Sequence, residues 1–390
     1  MPGSTILSGL KIVDLTSIIM GPYCTQTLAD MGADVVKVEP AKGDDFRYMG
    51  KPARSRAMGP CHLTLNRGKR SVTWDMRSPE GRALIRKLLA DCDIFIHNIR
   101  PAGIARLGLD YDSVRKIKPD IIYVQCTGFG SDGAYAGQPA YDDLIQALSG
   151  MTSLLPRTDG NEQPRFLPSA LADKVSGLHA VYAALAALRH RDRTGEPVLV
   201  EVPMLEIMTH FMLEEHLAAH TFVPPNGDIC YPRQIDPSRQ PMRTADGWIV
   251  VAPYSDDRWV RFFEVTGSQR VLGDARFANA KLRHVNFAAM SEEMAAILAH
   301  DTTANWLARM ADADIPASRV NDIAELRDDP HLQSVGFFAE RSHPTEGRYI
   351  EMQPPIRFAG IPQRDIRPAP LLGEHNDEVL QVLADAATGA

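Results

Sequence analysis

One carboxylate occupies a position from which it could act as a nucleophile. Asp173 lies in the first turn of a predicted Ala/Leu-rich helix that Thr194 and Gly195 close. An acid in a first helical turn is commonly explained by the helix dipole, which favours negative charge there. The alternative is a nucleophile on a rigid element, with backbone N–H groups nearby to stabilise developing charge. Position alone leaves both interpretations open.

Three other patterns resemble known chemical motifs but lack a required part. Residues 128–133 spell G-x-G-x-x-G after an apolar strand, yet loop residues follow where dinucleotide binding needs a helix. His216 and His220 are four residues apart, without the glutamate of a zinc-protease helix. Cys24 has no recognisable histidine partner and reads as a small buried hydrophobe. The sequence therefore predicts no metal and no nicotinamide or flavin.

A set of basic residues could bind phosphate groups. They lie at or near predicted strand-to-helix junctions, where α/β folds bind phosphorylated ligands. Each of these residues alone is typical of a charged surface position, whereas together they are typical of a phosphate-binding site. They are Arg47, Lys69, Arg70, Arg100 and Arg106.

The elements that position these residues alternate between strand and helix. Apolar runs predict strands at 11–15, 35–38, 93–97, 121–125 and 198–202. Helices are predicted to begin at Gly21-Pro22, after Ser78 and near Asp173. This βαβ pattern predicts an α/β protein with a Rossmann-like large domain built on a parallel sheet. The helix that carries Asp173 should bury one stripe of large side chains, namely Val175, Leu178, Val181, Leu185 and Leu188.

The second half of the chain predicts a smaller domain. Residues 1–222 form the first part of the large domain, and the five prolines within 223–241 indicate a linker. Residues 226–325 read as a small α+β domain, with a hairpin signal at Asp246-Gly247. Residues 326–390 return to the large domain.

The composition of the chain limits the classes of protein to which it can belong. The 390-residue chain carries a formal net charge of -7, which argues against a nucleic-acid partner. It has no apolar run of about 18 residues, so no membrane span is expected. The first residues lack the pattern of a secretory signal, and the five cysteines are scattered and odd in number. We expect a soluble cytoplasmic enzyme.

A series of spaced motifs resembles the family III CoA-transferases, the CaiB/BaiF family. The resemblance covers nearly the whole chain, with the motifs in the family's order. They are Gly9–Thr16, Gly21-Pro22, Leu28–Glu39, Asn66–Ser71, Asn98–Gly103, Thr127–Gly130, Tyr141-Asp142, Ala172-Asp173 with Gly177, and Pro370–Gly373.

The resemblance implies an activity and a set of site residues. CoA would move from an acyl-CoA thioester to a small carboxylic acid through an aspartyl-CoA intermediate on Asp173. CoA enters as part of the substrate, so no cofactor is implied, and the basic residues above would meet its phosphates. The family also forms an interlocked homodimer. The implied CoA contacts are Ile19, Met20, Trp74, Asn98, Ile99, Arg106, Tyr141 and Asp142.

A racemase is the alternative on the same fold. The similar α-methylacyl-CoA racemases carry a His-Asp pair where this chain has Tyr141-Asp142. Racemisation or isomerisation at the α-carbon requires two bases, and tyrosine, with a pKa of about 10, is a poor base at neutral pH. Tyr141 therefore favours the transferase.

Two departures from the family pattern bear on the substrate. Residues 227–247 lack the glycine-rich active-site loop of formyl-CoA transferase, so formyl-CoA and oxalate are not the expected substrates. Pro40 stands where the family has an arginine, which weakens one expected CoA contact. Succinate, malate, mesaconate and glutarate remain family-level candidates for the acid.

Overall fold

The structure, a computed structural model, describes residues 5–362 and 365–388. Its contacts divide the chain into two compact units. The large unit comprises the described parts of Met1–Thr152, Phe166–Glu214 and Gln333–Ala390. The small unit comprises Ser153–Arg165 and Glu215–Leu332.

Both strands and helices occur along the whole of the described chain. The strands are β1 (Lys11–Leu15), β2 (Asp34–Glu39), β3 (Lys69–Thr73), β4 (Ile94–His97), β5 (Ile122–Thr127), β6 (Val198–Pro203), β7 (Met242–Arg243), β8 (Trp248–Val251), β9 (Ala317–Arg319), β10 (Phe338–His343) and β11 (Gly347–Met352). The helices are α1 (Met20–Asp30), α2 (Pro60–Leu65), α3 (Pro79–Ala90), α4 (Pro101–Arg106), α5 (Tyr111–Arg115), α6 (Asp142–Leu148), α7 (Leu154–Asp159), α8 (Leu171–Thr194), α9 (Met204–His216), α10 (Pro232–Ile235), α11 (Asp256–Val265), α12 (Gln269–Leu272), α13 (Ala280–Val285), α14 (Phe287–Leu298), α15 (Thr303–Asp312), α16 (Pro330–Ser334) and α17 (Asn376–Thr388).

The large unit is built on a six-stranded parallel sheet. Its strand order is β3-β2-β1-β4-β5-β6, the order of a doubly wound Rossmann-type sheet. The predicted α/β class and parallel sheet are therefore confirmed. Strand β3 was not predicted, because its sequence Lys-Arg-Ser-Val-Thr has no apolar run.

The two faces of the sheet differ in chemistry near β1, β2 and β3. Val36 and Val38 of β2 pack in a buried apolar cluster with residues of α3 and α17. Lys37 and Glu39 alternate with them and, since successive side chains of a strand point to opposite faces, lie on the other face. Both are buried, so this second face holds a network of charges inside the protein.

Helix α8 buries a stripe that shares only Val181 with the one predicted. Its buried residues are Ala172, Ser176, Gly177, Ala180, Val181, Ala184 and Ala187. Leu178 is 46% exposed, and Val175, Leu185 and Leu188 are only partly buried. The prediction failed because it assigned the core to large side chains, whereas small residues let α8 lie close against α1.

The small unit has an antiparallel sheet of β7, β8 and β9 surrounded by helices. The turn between β7 and β8 contains Asp246 and Gly247, as the hairpin signal predicted. Its core packs Ile249 against the aromatic residues Phe262, Phe263 and Trp306.

Candidate active site

The site begins at the carboxyl end of β1, where the strand order of the sheet reverses. In open α/β sheets, ligands bind in the crevice at this switch point, which lies between β1 and β4. Asn98, which follows β4, joins the two loops. Its Oδ1 accepts from the Ser17 N–H at 3.0 Å, and its Nδ2 donates to the Ser17 carbonyl at 2.8 Å. The loop after β1 is therefore fixed to the end of β4.

The loop after β1 leads into α1, whose first residue is Met20. The first N–H groups of a helix have no intrahelical acceptor, and the helix dipole places partial positive charge there. The Met20 backbone acts on the carboxylate of Asp173 and lowers its pKa. The start of α1 is thus the backbone segment that acts on the predicted nucleophile.

Helix α8 brings Asp173 to Met20 through a glycine. Gly177 is buried, and a Cβ at this position would lie 2.7 Å from the Met20 carbonyl oxygen. No side chain fits at that separation, so the two helices cross here at backbone distance. Asp173, one turn before Gly177, lies beside the first turn of α1 as a result.

Asp142 is the second acid of the site. The Asp173 N–H donates to Asp142 Oδ1 at 3.1 Å. Gln146, four residues along α6, donates from Nε2 to Asp142 Oδ2 at 2.6 Å. The same amide donates to the Ser169 carbonyl and accepts from the Leu167 N–H, so it also fixes the loop before α8.

The environment of Asp173 shifts its proton affinity. Burial raises the pKa of its carboxyl group, and the negative charge of Asp142 raises it further, to about 7. The Met20 backbone opposes both effects. A carboxyl group with a raised pKa beside a second acid and the start of a helix favours the nucleophile interpretation over a simple dipole effect.

A cleft of about 740 Å³ lies at the carboxyl ends of β4 and β5. Arg100 and Arg106 line it, and within the described part of the chain neither guanidinium has a hydrogen-bond or ion-pair partner. Asn98 and Ala140 also line it, next to the Ser17 loop and to Tyr141-Asp142. The cleft therefore offers unpaired positive charge along a wall that leads to the loops around Asp173.

Three of the eight predicted CoA contacts line this cleft, and four others lie at the starts of α1 and α6. Asn98, Ile99 and Arg106 line the cleft. Ile19 and Met20 begin α1, while Tyr141 precedes α6 and is exposed. Trp74 differs from the others, because it is only 5% exposed within the apolar cluster of the sheet.

Three of the basic residues predicted to meet phosphates are already engaged. Arg47 is fully buried and makes two hydrogen bonds of 2.7 Å to the carboxylate of Glu39. Lys69 is fully buried against Asp14, and Arg70 pairs with Asp34 and Glu378. The prediction was wrong for Arg47 and Lys69, because sequence position does not show that a cation is internal. Arg100 and Arg106 remain the candidates for contact with phosphate groups.

The G-x-G-x-x-G run forms a loop, and two of its backbone donors are bound by glutamate side chains. The Gly130 N–H donates to Glu206 Oε1 at 2.8 Å, and the Ser131 N–H donates to Glu201 Oε1 at 2.9 Å. The next helix, α6, begins only at Asp142. This loop therefore lacks the helix start that a pyrophosphate requires.

Two site residues were not predicted from the sequence. Gln146 carried a usable signal, since it lies four residues after Asp142 on one helix face. His97 is buried at the end of β4, where its Nδ1 accepts from the Ile99 N–H at 3.2 Å. Burial lowers the pKa of His97 to about 4, so it remains a neutral acceptor that orients the cleft wall. Nothing in the sequence around His97 indicated this role.

Membrane spans and metal centres are two other features that the described residues lack. No helix in the described ranges is both long and apolar enough to cross a membrane. Among residues 5–362 and 365–388, no three His, Cys, Asp or Glu side chains are grouped as metal ligands.

Comparisons with known proteins show the family to which the chain belongs. The family model described as CoA-transferase family III matches residues 7–376. A succinate–glutarate CoA-transferase of Agrobacterium fabrum is 34% identical, with 97% of this chain and 95% of the relative aligned. A formyl-CoA:oxalate CoA-transferase of Shigella sonnei is 29% identical, with 97% and 96% aligned.

A solved structure extends the comparison to the fold. The crystal structure of a CaiB/BaiF family protein from Brucella suis matches with a TM-score of 0.83 at 31% identity. The match covers 97% of this chain and 99% of the other. The chain therefore belongs to family III of the CoA-transferases, and it is an enzyme of the CoA-transferase type.

Proposed function

We propose that this enzyme moves CoA from an acyl-CoA thioester to a small carboxylic acid through a covalent intermediate on Asp173. The observation that carries the proposal is the environment of Asp173, which lies one turn from the close crossing of α8 and α1 at the sheet's switch point, with Asp142 beside it. The cleft with two unpaired arginines supports CoA as the ligand, because CoA carries phosphates at the end remote from its thioester.

The first half of the reaction loads the enzyme. An oxygen of the Asp173 carboxylate attacks the thioester carbonyl carbon, the C–S bond breaks, and a mixed anhydride and CoA thiolate result. The thiolate then attacks the Asp173 carbonyl, the anhydride C–O bond breaks, and the donor acid leaves as a carboxylate. The product is an aspartyl-CoA thioester, and no net proton has moved.

The second half reverses these steps with another acid. The acceptor carboxylate attacks the aspartyl thioester, which releases the thiolate and forms a new anhydride. The thiolate then attacks the acceptor carbonyl and regenerates the Asp173 carboxylate. Each attack places negative charge on an oxygen of the reacting carbonyl, and one backbone donor at such an oxygen typically contributes about 3 kcal/mol. The Met20 N–H is the donor we assign to this task.

The substrate class we propose is a small dicarboxylic acid. The support comes from the names of two relatives, a succinate–glutarate CoA-transferase and a succinyl-CoA–D-citramalate CoA-transferase. Oxalate remains outside the proposal, because residues 227–247 lack the glycine-rich loop of formyl-CoA transferase. The racemase alternative is not favoured, since the named relatives are CoA-transferases.

We also propose that the enzyme is a cytoplasmic homodimer. Leu178 is 46% exposed and Tyr182 is 58% exposed on α8, and apolar surface of this kind suits contact with a second copy. All five cysteines are free thiols, as in proteins of reducing compartments. Light scattering of the purified enzyme tests the dimer: twice the chain mass supports it, and a monomer at micromolar concentration contradicts it.

A substrate panel tests the proposed reaction. The enzyme is incubated with succinyl-CoA and one of glutarate, malate, mesaconate, D-citramalate or oxalate, and new CoA thioesters are identified by mass spectrometry. We expect transfer to dicarboxylates longer than oxalate. The same incubations in D2O without acceptor examine the alternative, because incorporation of deuterium at the α-carbon without transfer indicates a racemase or isomerase.

A further inference from the structure

The turn that leads to Met20 contains a residue in an unfavourable backbone conformation. Ile18 has a φ of +69°, in the left-handed region. A β-branched side chain rarely adopts this conformation, because its Cβ crowds the backbone. Such residues persist only where their surroundings hold them, and they cluster at active sites.

One side chain holds the Ile18 N–H directly. The carboxylate of Asp44 accepts from the Ile18 N–H with its Oδ1 at 3.1 Å and its Oδ2 at 3.2 Å. Asp44 itself is fixed by Lys37, whose Nζ lies 3.1 Å from Asp44 Oδ2, and both side chains are buried. The acceptor for the strained residue is therefore internal and rigid.

The two residues before Ile18 are held by other groups. The Thr16 N–H donates to Asp14 Oδ1 at 2.9 Å, and the Thr16 carbonyl accepts from Lys37 Nζ at 2.7 Å. Ser17 is bound on both sides by Asn98. Asp44 is thus the group that fixes the backbone conformation of Ile18. That conformation determines the direction in which the chain enters α1.

We propose that Asp44 is a positioning residue for CoA transfer. It holds Ile18 in the left-handed conformation, and this conformation places Met20 and the first turn of α1 against α8 at Gly177, one turn from Asp173. The inference rests on the proposed function, in which Asp173 carries the acyl group and then CoA.

The test separates this role from the contribution of Asp44 to folding. Asp44→Ala removes the acceptor oxygens of the Ile18 N–H and the charge opposite Lys37, whereas Asp44→Glu keeps the charge and displaces the acceptor oxygens. Thermal unfolding first establishes that each variant folds. The rate at which acyl-CoA labels Asp173 in a single turnover is then measured between pH 5 and pH 9.

We expect labelling to slow about 10-fold or more in both variants, because small misplacements of a reacting group carry losses of this size. The acid limb of the rate profile should also move to higher pH. Asp142 is the charged group that raises the pKa of Asp173, and the Met20 backbone lowers it, so displacement of the start of α1 should raise this pKa.

A second substitution provides the rescue. Ile18→Gly in either Asp44 variant should restore most of the lost rate, since glycine adopts positive φ without crowding. Ile18→Val, which keeps the β-branch, should restore none of it. The inference is overturned if the folded Asp44 variants label at the wild-type rate and pH, or if glycine and valine have the same effect. If the wild-type enzyme is not labelled at Asp173 at all, the proposed function itself is wrong.

Discussion

The backbone N–H of Asp173 donates a hydrogen bond to Oδ1 of Asp142, with 3.1 Å between the two atoms. This contact fixes one carboxylate next to the other at the starts of two helices, α8 and α6. Burial and the charge of Asp142 together raise the pKa of Asp173 to about 7. The pair therefore places the titration of the proposed nucleophile within the physiological pH range.

Removal of the charge on Asp142 should shift the pH dependence of transfer. The carboxylate form of Asp173 is the nucleophile, so the rate should rise with pH through about 7 in the wild-type enzyme. Asp142→Asn keeps an oxygen acceptor for the Asp173 N–H but removes the charge that raises its pKa. The acid limb of kcat should move to lower pH, as measured from pH 5 to pH 9.

Asp143→Asn is the matched control, because Asp143 is the adjacent acid and is exposed. Its profile should coincide with that of the wild type. If the acid limb of the pH profile lies at the same pH in Asp142→Asn as in the wild type, then Asp142 does not raise the pKa of Asp173.

Asp173→Asn should change the pH dependence of stability. In wild type, the carboxyl pKa of Asp173 is raised in the folded state from 3.8 to about 7. Between these values the folded state binds the proton more tightly than the unfolded state, so the free energy of unfolding falls as pH rises from about 4 to 7. Asparagine does not titrate. The Tm of Asp173→Asn minus that of wild type should therefore increase from pH 5 to pH 8, and a constant difference would contradict the raised pKa.

Gly177→Ala should impair the site through the backbone. The added Cβ would lie 2.7 Å from the Met20 carbonyl oxygen, so α8 and α1 must separate. Overpacking of this kind typically destabilises a protein by about 1–3 kcal/mol. We expect a lower Tm and a larger fall in kcat than that loss explains, because Asp173 moves away from the first turn of α1. Ala186→Ser, an exposed change on the same helix, should leave both values near wild type.

Arg106→Gln should weaken binding of the acyl-CoA. Its guanidinium has no ionic partner among the described residues and lines the cleft that we assign to CoA. A charge-assisted bond of this kind contributes about 1.5–3 kcal/mol, so the KM for acyl-CoA should rise about 10-fold or more while the KM for the acid stays constant. Arg115→Gln removes an exposed arginine of α5 outside the cleft and serves as the control. Equal effects of the two substitutions would argue against CoA in this cleft.

The sequence predicted the large-unit sheet well where the strands are apolar. Runs such as Ile121–Gln125 lie in a sheet covered on both faces, and their hydrophobicity alone locates them. Strand β3 was missed because Lys69 and Ser71 are polar yet buried, and their partners Asp14 and Glu39 come from other strands. Charge pairing across strands has no signature in local periodicity.

The site was predictable only in part, for a similar reason. The position of Asp173 in a first helical turn is visible in the sequence, and the family motifs select it. The other features of the site are tertiary contacts, which the local sequence does not reveal. They are the close helix crossing at Gly177, the hydrogen bonds that Asp44 accepts from Ile18, and the hydrogen bonds of the Gln146 amide. The prediction of the buried stripe of α8 failed for the same reason. The interface with α1 is also a tertiary contact, and small residues form it.

The most direct measurement is the mass of the peptide that contains Asp173 after brief incubation with acyl-CoA and no acceptor. We predict a CoA adduct on Asp173 that disappears when a dicarboxylate is added, with no adduct in Asp173→Asn or Asp173→Ala. An adduct on another residue, or transfer at the wild-type rate by Asp173→Asn, would contradict the assignment of Asp173 as the nucleophile.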